Sequence, residues 1–157
     1  MYMNNKNHLK KNTQKRFEFF DVTADIGFWA YGKTLNEVFE NAALAMFDVI
    51  TDVKKVDKND SKAIYVESED LVSLLYDFLE ELLIIHEVDL MLFSNFDVNI
   101  IKEKYNCSEI FKLNAVINGE NINWNKHDRR SEVKAITFHM MEILCDDICK
   151  ARVILDL

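Results

Sequence analysis

Short apolar stretches, the first of which alternates with polar residues and the second of which is rich in aromatic residues, recur along the chain and predict β-strands. The stretches are residues 16–20, 25–31, 62–67, 91–101, 111–117, 133–143 and 151–157. Polar segments separate the later ones, and short links between successive strands favour antiparallel pairing. The connection at 21–24 contains no glycine. The first two strands therefore form either a hairpin or two strands joined by a bend or bulge.

Two other stretches carry apolar residues every three or four positions, which is typical of amphipathic α-helices. Thr34 and Glu37 form a capping box that starts the first helix, whose apolar face extends from Leu35 to Ile50. We expect the second helix to start at Ser68 and to bury a stripe from Leu71 to Ile85. Together these elements predict an α+β fold, in which one mostly antiparallel sheet has the two amphipathic helices packed on one face.

The length of 157 residues suits one domain. Residues 1–15 are polar and basic without an apolar segment, so we expect a disordered basic tail followed by a single domain over residues 16–157. The longest apolar cluster, Leu82 to Ile85, is much shorter than the roughly 20 residues of a membrane-spanning helix. We therefore expect a soluble protein of the cytoplasm or nucleus, with no membrane contact.

The chain contains 19 basic and 27 acidic residues, which gives a net charge of -8. This balance argues against direct binding to a nucleic-acid backbone, which needs a dense basic surface. With only three glycines, the chain contains neither a P-loop nor a G-x-G-x-x-G fingerprint. The three cysteines, Cys107, Cys145 and Cys149, fit neither a C-x2-C metal motif nor a disulfide framework, so we expect reduced thiols.

Two aspartates are the main candidates for chemistry. Asp25 opens an otherwise apolar strand, and Asp156 interrupts V-I-L-D-L beside Leu157. If both strands end at the same edge of the sheet, Asp25, Asp156 and the terminal carboxylate of Leu157 present hard oxygen ligands at one point. Such ligands suit calcium or magnesium better than zinc. The alternative is that Asp25 caps a turn and Asp156 faces solvent.

Lysine and histidine side chains add less specific candidates. Lys134, in the strand-like E-V-K-A-I-T-F-H, either pairs with one of the aspartates or points outward to solvent or to a partner. The four histidines show no i, i+4 pair of the kind that binds zinc on a helix. His139 is either packed or close to the aspartates, and the sequence assigns no role to His127.

Several longer motifs occur in one order along the chain and together are specific. They are T-A-D-I-G (23–27), A-Y-G-K-T-L-x-E-x-F-E-N-A-A-L-A-M-F-D-V-I-T-D (30–52), E-D-L-x-x-L-L-Y-D-F-L-E-E-L-L (69–83), E-V-K-A-I-T-F-H (132–139) and the closing I-L-D-L. Through these motifs the sequence resembles the archease family from about Arg16 to Leu157. One departure is Val22, since many members of the family have His before T-A-D.

The resemblance implies a small α+β accessory protein that activates an RtcB-type RNA ligase in tRNA splicing, by promoting guanylylation from GTP and multiple turnover. It implies a calcium-type metal site, with magnesium or manganese as alternatives, whose ligands are Asp25, Asp156 and Leu157. It also implies that Lys134 is needed for activation. The resemblance implies that the protein contacts tRNA only indirectly, through the ligase. Two alternative hypotheses are a metal-assisted hydrolase that uses the same carboxylates, and a general chaperone or interaction module.

Overall fold

The computed structural model describes residues 15–157, so the predicted tail lies outside the described residues except for Lys15. The described residues form two α-helices, seven β-strands and one turn of 3-10 helix at Val53–Lys55. In chain order the elements are β1 (Phe17–Val22), β2 (Asp25–Gly32), α1 (Leu35–Ile50), β3 (Asp60–Ser68), α2 (Leu71–Asp89), β4 (Met91–Tyr105), β5 (Ser108–Asn121), β6 (Ala135–Cys145) and β7 (Cys149–Asp156). Every strand pair is antiparallel, which confirms the α+β class.

The strands of residues 15–157 form two sheets, and the expectation of one sheet is corrected accordingly. The first sheet has the order β1-β2-β7-β6, and the second has the order β3-β5-β4. The chain leaves the first sheet after β2, builds the whole second sheet, and returns to the first with β6 and β7. Alternation along a strand fixes which side chains share a face, but it does not say which strand is the neighbour.

Each helix contacts strands of both sheets. α1 packs against β2, β7 and β4, and α2 packs mainly against β6, β3 and β5. As a result α1 is buried on almost every side, including the whole run from Asn41 to Phe47, whereas the sequence predicted a single apolar face. Asn41 is accommodated there because its amide donates to the carbonyl of Tyr31, while its side-chain oxygen accepts from Arg16 Nε at 2.7 Å.

The helix starts follow the cap chemistry, with two corrections. Thr34 Oγ1 accepts from the Glu37 N–H at 3.2 Å, as predicted, but the Glu37 carboxylate accepts from the N–H of Lys33 at 2.7 Å instead of that of the cap residue, so only half of the capping box forms. The second helix is capped by Asp70, which accepts from the backbone N–H of Ser73 at 2.8 Å. Ser68, predicted as this cap, instead ends β3. Both residue types suit the position, and the tertiary structure selects between them.

The first two strands form a tight hairpin, which answers the question left open by the sequence. Val22 pairs with Asp25, and the two residues between them make the turn, with Ala24 in the left-handed region at φ 64°. Further along, Phe20 lies directly opposite Gly27 and covers it so closely that a Cβ at position 27 would overlap the Phe20 ring. The glycine of T-A-D-I-G therefore makes room for an aromatic ring.

Two of the three cysteines differ from the expectation of reduced thiols. Cys145 and Cys149 are joined by a disulfide at the tip of the β6–β7 hairpin, whereas Cys107 is free and exposed. The sequence spacing did not reveal this pair because the two residues become direct neighbours only through the hairpin register. No helix within residues 15–157 is long and apolar enough to cross a membrane.

Candidate metal site

Asp25 and Asp156 lie on neighbouring strands at the same level of the first sheet. β2 and β7 are its two central strands, and their antiparallel register places Asp25 directly opposite Asp156. Directly opposed residues have their Cβ atoms about 4.5–5.5 Å apart and their side chains on one face. The two carboxylates, which are 131 positions apart in sequence by subtraction of their residue numbers, thus occupy one location.

The face that carries them is the outer face of the first sheet. The alternate residues of β2, Phe28 and Ala30, are fully buried in the core. Trp29, which shares the face of Asp25, is covered instead by the cations of Lys150 and Arg152 at 4.7 and 5.0 Å from the ring centroid. The carboxylates are consequently half-buried and open to solvent and to a partner on one side.

The electrostatics of this pair are unfavourable without a cation. Like charges directly opposite each other on adjacent strands destabilise a sheet. The ion pairs formed within residues 15–157 involve neither Asp25 nor Asp156. A bound cation would offset the repulsion between them.

Leu157 and Lys134 lie at the same end of the sheet. Leu157 follows Asp156 directly and packs its side chain against the core, which fixes the main chain beside the carboxylates. The backbone N–H of Lys134 donates to the carbonyl of Asp156 at 2.8 Å, and the next residue, Ala135, is the ladder partner of Asp156. We call Asp25, Asp156, Leu157 and Lys134 the acidic corner.

The donor set of the acidic corner fits an oxygen-preferring cation. It offers two carboxylates and the main-chain oxygen of Leu157, which are ligands of calcium, magnesium or manganese, whereas zinc prefers nitrogen and sulfur. Within the described residues, no group of three or more His, Cys, Asp or Glu side chains is placed to hold a metal ion. Calcium takes about six to eight oxygen ligands, so these residues would supply only part of its coordination shell.

Val22 extends this row of residues. It pairs with Asp25, so its side chain projects from the outer face beside that carboxylate. An imidazole at position 22, as in the H-T-A-D form of the motif, would stand next to Asp25. The valine removes a possible nitrogen ligand and leaves the oxygen donors in place.

The two histidines left open by the sequence lie elsewhere. His139 is exposed on β6, four positions beyond Ala135, where the pairing with β7 is interrupted by a bulge. His127 is buried, accepts from the backbone N–H of Asn123 at Nδ1, and faces Glu120 with Nε2 at 3.2 Å. The Asn123 N–H can only donate, so Nδ1 of His127 carries no proton. The ring proton is therefore on Nε2, which donates a hydrogen bond to Glu120.

Glu120 is held ionised by this cluster. Burial alone would raise its pKa, but hydrogen bonds from Lys126, from the Asp57 backbone and from His127 together lower the pKa of Glu120 to about 2. Lys126 Nζ lies 2.7 Å from both Glu120 and Asp57. The cluster joins the connection between β5 and β6 to the second sheet, and no sequence motif indicates this structural role.

A cavity of about 750 Å³ lies at the other end of β2 from Asp25. Its walls carry three cations and three acids, together with Tyr31, Gly32, Asn41 and Ile148; the charged residues are Lys15, Arg16, Lys33, Glu37, Glu40 and Asp147. Burial raises the pKa of Glu40, which accepts from the Val98 N–H of β4 at 2.9 Å. The only β2 residues that line the cavity are Tyr31 and Gly32, at the opposite end of the strand from Asp25, so the cavity is separate from the acidic corner.

Comparisons with known proteins agree with the fold and with the motifs. The sequence model of the Archease protein family matches residues 17–157. A protein archease from Methanothermobacter thermautotrophicus is 56% identical over 144 residues, which are 91% of this chain and 99% of that relative. A protein archease from Pyrococcus abyssi is 48% identical and covers 82% of this chain and 88% of its own length.

A solved structure of a similar protein has the same fold. The solution structure of Methanobacterium thermoautotrophicum protein 1598 superposes with a TM-score of 0.74 and is 52% identical, covering 90% of this chain and 99% of its own. The match of a family model over nearly the whole described chain is the decisive finding, and it includes Asp25, Lys134, Asp156 and Leu157. This chain belongs to the archease family.

Proposed function

We propose that this protein activates an RtcB-type RNA ligase in tRNA splicing by promoting the ligase's guanylylation and its multiple turnover. It acts as an accessory protein and not as an enzyme. The observation that carries the proposal is the direct pairing of Asp25 with Asp156, which gives one outward-facing site with Lys134 beside it. The family membership supplies the expectation, and the geometry supplies a surface suited to it.

The incomplete ligand set supports action on a partner. Two carboxylates and one main-chain oxygen hold a calcium-type cation only in part, and a partner that brings oxygen ligands would complete the shell. When bound, the cation would supply positive charge between the two aspartates and the oxygen ligands of the partner. Asp25 and Asp156 orient the site from rigid strands, and the main-chain hydrogen bond at Lys134 holds the neighbouring strand in register with it.

Lys134 supports the same assignment because it is exposed while its main chain is fixed. Its ammonium group is therefore available to a carboxylate or phosphate on the docked ligase. A charged group that lies at the rim of an interface contributes mainly to specificity and to the rate of association.

The charge of the chain supports the proposal that the ligase, and not this protein, holds the nucleotide and the RNA. A net charge of -8 disfavours a direct grip on tRNA, and the chain has no phosphate-binding glycine motif for GTP. An acidic protein is instead electrostatically complementary to an enzyme surface that is basic because it binds RNA.

The test is a multiple-turnover ligation assay with purified ligase, with and without this protein and calcium. We expect the wild-type protein to raise both the fraction of guanylylated ligase and the number of turnovers, and Asp25→Asn to lose most of this stimulation. The matched control is Asp21→Asn, because Asp21 is exposed on the adjacent strand and pairs with Ile26 instead.

Three outcomes would count against the proposal. Equal stimulation by the wild-type protein and Asp25→Asn would show that the acidic corner is not needed for activation. Absence of any stimulation would show that the ligase is not the target of this protein. Hydrolysis of phosphoesters by this protein alone, lost in Asp25→Asn, would favour the metal-assisted hydrolase, in which the same carboxylates hold a metal that activates water.

A further inference from the structure

The tip of the β6–β7 hairpin is closed by the disulfide between Cys145 and Cys149. These two residues are also the last ladder pair of the hairpin, and the turn between them is Asp146 to Ile148. One backbone hydrogen bond, from the Asp146 N–H to the Ile148 carbonyl at 3.1 Å, spans this turn. All three turn residues are exposed. The disulfide is therefore the covalent constraint on a turn that is otherwise held by few contacts.

The two cysteine residues differ in their exposure to solvent. Cys145 belongs to the exposed part of β6, whereas Cys149 is only 8% exposed and faces the core. A thiolate from outside can reach the Cys145 side of the bond. Exposed disulfides are in general the reducible and regulatory ones, while buried disulfides are structural.

The turn forms part of two other features of the molecule. Asp147 and Ile148 line the cavity of about 750 Å³, together with Arg16 and Glu37. Lys150, one residue beyond Cys149, places its ammonium group over the ring of Trp29 at 4.7 Å. A change in the turn therefore alters a wall of the cavity and the environment of a tryptophan.

We propose that Cys145 and Cys149 form a reversible thiol–disulfide switch that controls access to this cavity. The reductant is a dithiol, either a small molecule or a redox protein. In the oxidised state the disulfide holds Asp147 and Ile148 against the cavity, and in the reduced state the turn is released and the cavity opens. This inference does not depend on the proposed activation of a ligase.

The reduction proceeds in two thiol exchanges. A thiolate of the dithiol attacks Sγ of Cys145, the S–S bond breaks, and Cys149 leaves as a thiolate that takes up a proton. The second thiol of the reductant attacks the mixed disulfide, releases Cys145 as a thiol and leaves the reductant as a disulfide. Two electrons and two protons thus pass from the dithiol to the cysteine pair, and an oxidised dithiol reverses the reaction.

The experiment starts from the folded, oxidised full chain. Alkylation without reduction followed by intact mass should label Cys107 alone, and alkylation after treatment with dithiothreitol under native conditions should add two further labels. Hydrogen exchange at 146–148 should become roughly tenfold faster on reduction, while exchange at the β1–β2 turn stays unchanged. In a Trp124→Phe background, the fluorescence of Trp29 should change on reduction and return on reoxidation.

The variants separate the switch from other effects of a reductant. Cys107→Ser should keep every redox response, whereas the double variant Cys145→Ser, Cys149→Ser should show the fast exchange at 146–148 in both conditions. The proposal is overturned if all three cysteines of the oxidised preparation are already alkylated. It is equally overturned if native dithiothreitol leaves the pair oxidised, or if exchange at 146–148 and Trp29 fluorescence are the same in both redox states.

Discussion

The backbone N–H of Lys134 donates a hydrogen bond to the carbonyl oxygen of Asp156 at 2.8 Å. This bond joins the start of β6 to the strand that carries one of the two opposed aspartates. It places the main chain of Lys134 beside Asp156, and the residue is exposed. The position of this lysine is thus set by the main chain, and its side chain is available for function.

Replacement of Lys134 by methionine should separate function from stability. The main-chain bond to Asp156 is retained, so the thermal midpoint should change by less than about 2 °C. Stimulation of the ligase should fall by roughly tenfold or more, since a charged contact with a partner is lost. Lys104→Met, at an exposed lysine of β4, is the control and should stimulate normally. Equal stimulation by the Lys134→Met and Lys104→Met variants would show that Lys134 is not needed for activation.

Calcium should stabilise the protein through the acidic corner. A ligand at about 100 times its dissociation constant adds roughly 2.7 kcal/mol to the free energy of unfolding, which for a chain of this size raises the midpoint by about 5–10 °C. Asp156→Asn should abolish this increase, because one of the two carboxylates is lost. Differential scanning calorimetry with and without calcium measures it. If calcium raised the thermal midpoint of Asp156→Asn as much as that of the parent, calcium would bind at a different site.

Position 22 should tune which metal is preferred. Val22→His adds an imidazole beside Asp25 in the same row of the sheet. Imidazole suits zinc better than calcium, so affinity for zinc should rise on the order of tenfold, with little change for calcium. Isothermal titration of each ion measures the difference. Val22→Leu keeps the site apolar at this position and should match the parent for every ion.

A substitution at Ala24, in the β1–β2 turn, should increase the stability of the protein. A non-glycine residue at φ 64° is in a left-handed conformation that costs roughly 1 kcal/mol. Ala24→Gly should therefore raise the free energy of unfolding by about that amount, or the thermal midpoint by about 2–4 °C. Ala43→Gly is a control of opposite sign, because Ala43 is buried inside α1 and glycine destabilises a helix interior. Destabilisation by Ala24→Gly would contradict the turn geometry.

Glu120 should make stability depend on pH in the acid range. Its folded pKa of about 2 lies below its ordinary value of 4.5, so its contribution is complete above about 4.5 and is lost as the pH falls toward 2. Glu120→Gln should lower the free energy of unfolding at neutral pH by roughly 1–3 kcal/mol and flatten the pH profile between these values. Urea unfolding at several pH values measures both effects.

The matched control for that experiment is Glu109→Gln. Glu109 forms an exposed ion pair with Lys102 at 3.2 Å, and surface ion pairs contribute little. Its pH profile should follow the parent. A Glu120→Gln profile that also follows the parent would show that the cluster around Lys126 does not hold the carboxylate ionised.

Most local features of the fold follow from the sequence. The cap at Thr34, the end of α1 at Ile50 and the strand that starts at Asp25 were predicted at their observed places. These features depend on residues that are close in sequence, such as the hydrogen bond from the Glu37 N–H to Thr34 Oγ1. The cap of α2 was misplaced by two residues, since Ser68 and Asp70 are equally suitable by type and differ only in their partners.

The candidate site was only partly predictable from the sequence. The sequence singled out Asp25 and Asp156 by their position in apolar strands, and the motifs of the family singled out the same residues. Their assignment as metal ligands stays a prediction, as does the role of Lys134. That they lie opposite each other depends on the pairing of β2 with β7 and on its register, which alternation alone does not contain.

By itself the sequence determined the elements, their antiparallel character and the family, because these depend on periodicity, on caps and on motifs read along the chain. The tertiary structure alone decided that there are two sheets, that α1 is enclosed by both, and that Cys145 is bonded to Cys149. The physical reason is that strand neighbours and register are set by which apolar faces can be buried together, a property of the whole packed chain and not of any one segment.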